Sequence, residues 1–233
     1  LTPKMLLRYS PGSMRKEKSG SRLDPTSAFD LSRLNKIDNF ETGLTGTLGF
    51  DYKIKNNSQD FNISAAQIFN EKENKKMSSV SSLDEKNSDL VGAVSATLNK
   101  NINLSYNFNL DQNYKDVNYS DIGTQMNFGA LNINFNYLKE QKHIGNNNYF
   151  KSKISLRNND NGLFTFETKR NLITDSSEFY DLSYEYINDC LRAGLVYRRE
   201  FYNDSELEAE NSLLFKITLV PFGNINSPMI NRW

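Results

Sequence analysis

Between Glu178 and Phe222 apolar and polar side chains alternate with a period of two in three successive segments. In the first, Tyr180, Leu182, Tyr184 and Tyr186 fall on one face and Asp181, Ser183 and Glu185 on the other. In the second, Leu191, Ala193, Leu195 and Tyr197 oppose Arg192, Gly194, Arg198 and Glu200; in the third, Leu213, Phe215, Ile217 and Leu219 oppose Ser212, Lys216 and Thr218. A period of two sends neighbouring side chains to opposite sides of an extended chain, so all three segments are predicted strands. The tight turn Asn188-Asp189 joins the first pair, and the long acidic stretch from Asn203 to Asn211 joins the second.

The same rule runs back along the chain. Leu44, Leu48, Phe50, Tyr52 and Ile54 share a face opposite Thr45, Thr47, Asp51 and Lys53, and Phe61, Ile63, Ala65 and Phe69 oppose Asn62, Ser64 and Ala66. Ile102, Leu104, Tyr106, Phe108 and Leu110 against Asn103, Ser105, Asn107 and Asn109 is the cleanest alternation. Leu131 to Leu138, Phe150 to Arg157 and Leu163 to Lys169 repeat it, and Lys4 to Arg8 reads as the end of a strand. From Tyr9 to Glu41 the turn chemistry of Ser10-Pro11-Gly12 and the basic run Arg15-Lys16-Glu17-Lys18 predict a solvated loop, with a short helix over Ala28 to Leu34 capped by Ser27.

Joins alternate along the chain. Asn56 to Asp60, Asn99-Lys100-Asn101, Gly129-Ala130, Asn158 to Gly162 and Asn188-Asp189 are short; Glu71 to Ser88, Asp111 to Asn118, Lys139 to Asn148, Arg170 to Ser177 and Asn203 to Asn211 are long and polar. In an antiparallel meander alternate joins lie at opposite ends, which is the layout of outer-membrane barrels with short periplasmic turns and long outside loops. Segments of about 9–11 residues suit tilted strands crossing a bilayer. The predicted fold is therefore all-β, an antiparallel up-and-down transmembrane β-barrel present in part, as roughly a dozen strands of a larger barrel.

Composition supports this reading. Apolar residues make up 37% and aromatic residues 12% of the 233-residue chain, and mean hydropathy is −0.65. A chain that is polar on average yet rich in Tyr and Phe fits a barrel with a wet interior better than a disordered segment. Net charge is zero, which gives no attraction to nucleic acid. Lys151, Lys153, Arg157, Arg192 and Arg198 stand opposite the aromatic faces. A cation on the lipid face costs about 2–4 kcal/mol at the midplane, so the Leu/Phe/Tyr faces are assigned to outer-membrane lipid and the charged faces to the interior. With no signal peptide ahead of Leu1, the chain reads as a fragment.

Candidate chemistry is sparse. His143, the one histidine, lies in a predicted solvated loop beside Asn146, Asn147 and Asn148. No metal spacing or phosphate loop occurs, so no cofactor is expected and the chain is not read as an enzyme. Asp204, Glu206, Glu208 and Glu210 read as a solubilising run, with cation holding as the sharper alternative. Cys190 sits in a tight turn at the predicted periplasmic end, where an oxidising environment permits a bridge; a free thiol is the other reading. A passive porin, a TonB-type uptake barrel and a barrel hydrolase remain functional alternatives on these grounds.

The stretches LTPKMLLRYSPGSMR, FDLSRLNKIDNFETG with Phe29, Leu31, Arg33, Asp38, Glu41 and Gly43, and YDLSYEYINDCLRAGLVYRREFY with NSLLFKITLVPFG resemble the C-terminal half of the LptD family. The likeness extends to about Gly223 and assigns residues 1–223 to the barrel and 224–233 to a tail. It implies an outer-membrane translocon that takes lipopolysaccharide from a periplasmic transport bridge, through an N-terminal jelly-roll domain, and releases it sideways through a seam between first and last strands. It further implies an LptE-like lipoprotein plugging the interior. By resemblance, Ser212, Leu213, Leu214, Phe215, Lys216, Ile217, Thr218, Leu219 and Val220 form the last strand and one lip of that lateral gate. Family members carry cysteine at the turn of Cys190, often as an adjacent pair bonded to the periplasmic domain; here the pair is Asp189-Cys190, with a single cysteine.

Overall fold

The computed structural model describes residues 1–17, 22–34, 38–79, 82–141, 145–158, 161–188, 190–201 and 210–219. Among the described residues twelve strands follow one another as an antiparallel meander: β1 (Thr2–Ser10), β2 (Gly43–Lys55), β3 (Asp60–Asn70), β4 (Leu90–Asn99), β5 (Ile102–Leu110), β6 (Val117–Phe128), β7 (Leu131–Glu140), β8 (Asn147–Asn158), β9 (Gly162–Asn171), β10 (Ser176–Ile187), β11 (Leu191–Glu200) and β12 (Glu210–Leu219). Among the described residues each strand pairs with its sequence neighbours, in the order β1 to β12. The expected all-β, up-and-down arrangement is what the chain adopts.

Register fixes the faces. Thr2↔Asp51, Thr47↔Ile68, Ala66↔Val91, Val91↔Asn109 and Asp181↔Arg198 are directly opposed, and each such set shares one side of its strands. On that side stand Lys4, Thr45, Asp51, Ser64, Asn107, Asp181 and Arg198, while Leu48, Phe50, Leu104, Tyr184 and Leu195 stand on the other and are exposed. The apolar side is thus continuous within each stretch of sheet, and the ionisable side chains cluster on the opposite side, as the alternation predicts.

Short turns are built by local side chains. Asn188 Oδ1 accepts from the Cys190 and Leu191 amides at 3.0 and 2.6 Å, Asn99 Oδ1 accepts from the Asn101 amide at 2.8 Å, and Gly129 takes φ +60° in its two-residue hairpin. One expected long join is not long: β9 runs to Asn171 and β10 starts at Ser176, leaving only Leu172–Asp175 between them. There Asn171 Oδ1 caps the Ile173 and Thr174 amides, so Asn/Asp/Ser chemistry that reads as a loop makes a tight turn instead.

The helix expected over Ala28 to Leu34 is also corrected. Only a single 3-10 turn forms, at Ser27–Phe29, and the cap is Asp24, whose Oδ1 accepts from the Thr26 and Ser27 amides at 2.7 and 2.9 Å. Thr26, at the N-cap position, makes no side-chain cap bond.

The chain divides into two compact units. One comprises Leu1–Thr124 and Asn136–Tyr149, the other Gln125–Phe135 and Phe150–Trp233. The first unit holds the buried cluster: Met14, Leu23, Ala28 and Leu34 from the segment between β1 and β2 meet Ala66 and Ile68 of β3, Met77 and Leu83 of the next join, and Val91 of β4. Burying side chains such as Ile68 and Leu83 contributes about 1.5–3 kcal/mol each. The interior face, expected to be wholly wet, therefore carries an apolar patch where Met14, Leu23, Ala28 and Leu34 pack onto it.

Candidate functional site

The site with the most built chemistry is this covered stretch of the polar face. Arg33 Nε donates to Glu41 Oε2 at 2.8 Å and Arg33 Nη2 to Thr45 Oγ1 at 3.2 Å, while Arg8 of β1 forms a 2.5 Å ion pair with Glu41 Oε1. All three charged side chains are buried or nearly so. Burial pushes the Arg33 guanidinium below its ordinary value, the nearby Arg8 charge adds to that fall, and Glu41 opposes both. Two cations around one carboxylate hold the end of the segment to the start of β2. Arg8 Nη1 also donates to the Leu31 carbonyl at 3.0 Å.

Further along, wall residues reach up to the segment's backbone. Thr47 Oγ1 donates to the Ala28 carbonyl at 3.1 Å and Asn109 Nδ2 to the Leu23 carbonyl at 3.3 Å. Arg22 sits over the Tyr119 ring, 3.6 Å from guanidinium carbon to ring centre, and its Nη2 donates to Glu140 Oε2 at 2.6 Å. Gly49 lets Phe29 approach: a Cβ there would lie 2.9 Å from Phe29 Cζ and 2.4 Å from the Ala65 carbonyl oxygen. Between segment and wall remains an open cavity of about 500 Å³, with Arg22, Asp24, Ser64, Asn107, Asn109 and Tyr119 in its lining. Its lining is mixed, with Leu23, Pro25 and Ala93 beside these hydrogen-bonding side chains, which can hold sugar or phosphate groups.

In the second unit the polar face is a ladder of cross-strand ion pairs. Lys151 and Lys153 of β8 contact Glu167 of β9 at 2.8 and 3.3 Å, Lys169 meets Glu178 at 2.6 Å, and Glu185 meets Arg192 at 3.4 Å. Asp181 of β10 takes a two-pronged bond from Arg198 of β11, at 2.7 and 2.6 Å. Partly exposed pairs of this kind contribute about 0.2–1 kcal/mol each, so their weight lies in making a hydrated, charge-balanced surface. The Lys and Arg positions assigned to the interior from sequence, Arg157 included, share this face.

The predicted site residues are placed as follows. Cys190 is exposed in the turn between β10 and β11; Asp189 lies outside the described residues. Ser212 to Leu219 belong to β12, paired to β11 from Leu191↔Leu219 to Glu200↔Glu210, and Leu213, Phe215 and Ile217 stand exposed on the apolar side. Val220, the tail 224–233, His143, and Asp204, Glu206 and Glu208 of the acidic run lie outside the described residues. Among the described residues no group of His, Cys, Asp and Glu is arranged to hold a metal ion.

Sequence reading missed the Arg8–Glu41–Arg33 cluster and the covered patch. A signal for the second exists: Ala66 and Ile68 share the face of Asn62 and Ser64, an apolar break in a polar row. Residues 16–172 match the family model described as LptD, LPS transport system D. No curated protein matches the chain.

Proposed function

This chain belongs to the LptD family, a family of outer-membrane lipopolysaccharide transport and assembly proteins, and from that premise we propose that it is the part of the translocon whose last strand opens sideways to release lipopolysaccharide into the outer leaflet. The observation that carries the proposal is β12, which among the described residues pairs with β11 and bears Leu213, Phe215 and Ile217 exposed on its apolar side. An unpaired strand edge inside a bilayer leaves amide and carbonyl groups unsatisfied, so β12 requires another strand beside it. A pairing that is made and broken there gives an amphiphile a route from wet interior to lipid.

The amphiphile is divided by the two faces. Its sugars and phosphates suit the ion-paired interior of β8–β11 and the hydrogen-bonding side chains of the cavity beside Arg22, and its acyl chains suit the side bearing Leu213, Phe215 and Ile217. In this reading residues 11–42 narrow the interior, an LptE-like lipoprotein occupies part of what remains, and the periplasmic bridge delivers substrate.

The test is a photocrosslinking residue at Leu214, on the interior side of β12, in cells carrying the native protein. Lipopolysaccharide captured at Leu214 only while export runs, and not at Ser183 on the same face of β10, is the expected result. Newly made lipopolysaccharide reaching the surface with no capture at Leu214 would overturn the gate assignment.

A further inference from the structure

The apolar face of the second unit carries one feature that the transport reading does not use. Across β9, β10 and β11, Arg170 stands opposite Ser177 and Tyr180 opposite Arg199. Residues three apart on a strand normally point to opposite sides, but a β-bulge between Ser177 and Phe179 shifts the register. It brings the hydroxyls of Ser177 and Tyr180 together, hydrogen-bonded at 2.7 Å. Two guanidiniums thus flank a pair of hydroxyls on one side of the sheet.

Surroundings place this group at the rim. Arg170 is one residue from the end of β9 and Arg199 one from the end of β11, beside the joins that lie at the opposite end from Cys190. Phe201 meets Tyr180 edge-on at 5.4 Å and lies 5.0 Å beneath Arg199, an aromatic support of the kind found at membrane boundaries. Arg170 Nη2 donates to Asp175 Oδ1 at 2.7 Å, a solvent-exposed pair that leaves the other guanidinium donors available. The other described positions on this face of β9, β10 and β11 are uncharged. A guanidinium is costly amid acyl chains and favourable at the depth of anionic headgroups, and its planar fork matches phosphate oxygens.

We propose that Arg170, Ser177, Tyr180 and Arg199 form a phosphate-binding site on the lipid-facing rim, which holds the phosphorylated headgroup of a lipid resident in the surrounding leaflet. The site faces away from the interior, so it anchors the protein in its leaflet rather than conducting the transported molecule. It rests on the outer-membrane location and not on the release route.

The test uses the native protein purified from outer membranes in mild detergent, with lipid binding read by native mass spectrometry. The probe is lipid A carrying its phosphates, compared with the same lipid after their removal. The wild type is expected to prefer the phosphorylated form, and Arg170→Gln with Arg199→Gln to weaken its binding by about fivefold per arginine. Lysine at both positions restores only part of it, millimolar inorganic phosphate does not displace it, and the glutamine variant exports lipopolysaccharide at the wild-type rate. Equal retention by wild type and glutamine variant, indifference to the phosphates, or displacement by inorganic phosphate would overturn the site. Loss of export in that variant would instead assign the arginines to the transport route.

Discussion

Arg33 grips Glu41 with two parallel hydrogen bonds, Nε to Oε2 at 2.8 Å and Nη2 to Oε1 at 2.5 Å, in a pair whose side chains are 1% and 3% exposed. Arg8 reaches the same carboxylate from β1, so two cations share one anion, and Arg33 and Glu41 are tied to the wall. Removing one partner of a buried pair costs about 3–5 kcal/mol, because the charge left behind is neither solvated nor matched. Glu41→Gln is therefore expected to release the segment while the strands remain paired. Hydrogen exchange should show faster exchange at Ala28 and Phe29 and unchanged protection in β10 and β11; protection at Ala28 equal to wild type would refute the tether.

Leu195 and Val196 are neighbours on β11 that point to opposite sides, the first among the aromatics and the second on the face of Asp181 and Arg198. If the aromatic side meets lipid, Leu195→Arg loses about 2–4 kcal/mol, whereas Val196→Arg loses far less because it enters a hydrated, ion-paired surface. Folding into vesicles under a urea titration reads both values. Equal penalties, or the larger one at Val196, would reverse the assignment of faces.

Strand alternation made most of the fold legible, because a face shared by Ile102, Leu104, Tyr106, Phe108 and Leu110 is decided within nine residues. What was not legible is decided at a distance. Whether Met14 and Leu23 are solvated or buried depends on Ile68 and Val91, far along the chain, and on Gly49 leaving room for Phe29. Arg33 and Glu41 stood out as part of a resembling motif, yet their pairing needed the turn of 11–42 to bring them to Arg8 and Thr45. The motif's other members divide along the same line. Gly43 takes φ +111°, which an L side chain rarely adopts, and Phe29 packs on the buried cluster, whereas the Leu31 side chain is exposed and only its carbonyl is used.

Gly46 and Gly49 of β2 separate these two kinds of constraint. A Cβ at Gly46 meets nothing within 4 Å, while one at Gly49 meets backbone at 2.4 Å as well as the Phe29 ring. Gly49→Ala is expected to cost about 1–3 kcal/mol through overpacking, and Gly46→Ala to be neutral or slightly stabilising. Thermal unfolding of the two variants checks the difference, and a neutral Gly49→Ala would mean that Phe29 does not hold its docked position.

Cys190 is exposed, in a turn shaped by the Asn188 side chain and at the opposite end of β10 and β11 from Arg199. Exposure leaves the thiol free to meet another thiol, and short turns of such barrels face the oxidising periplasm. We expect a disulfide from Cys190 to a cysteine elsewhere in the native protein. Non-reducing electrophoresis should then show a reductant-sensitive shift in wild type that Cys190→Ser abolishes. The bridge would close a long loop in the unfolded chain, so its loss is also expected to lower stability by about 2–5 kcal/mol. Identical migration of the two proteins, with Cys190 open to a membrane-impermeant maleimide on intact cells, would put this turn on the outside. That result would invert both the gate and the headgroup site, since each depends on Cys190 and Arg199 lying on opposite sides of the membrane.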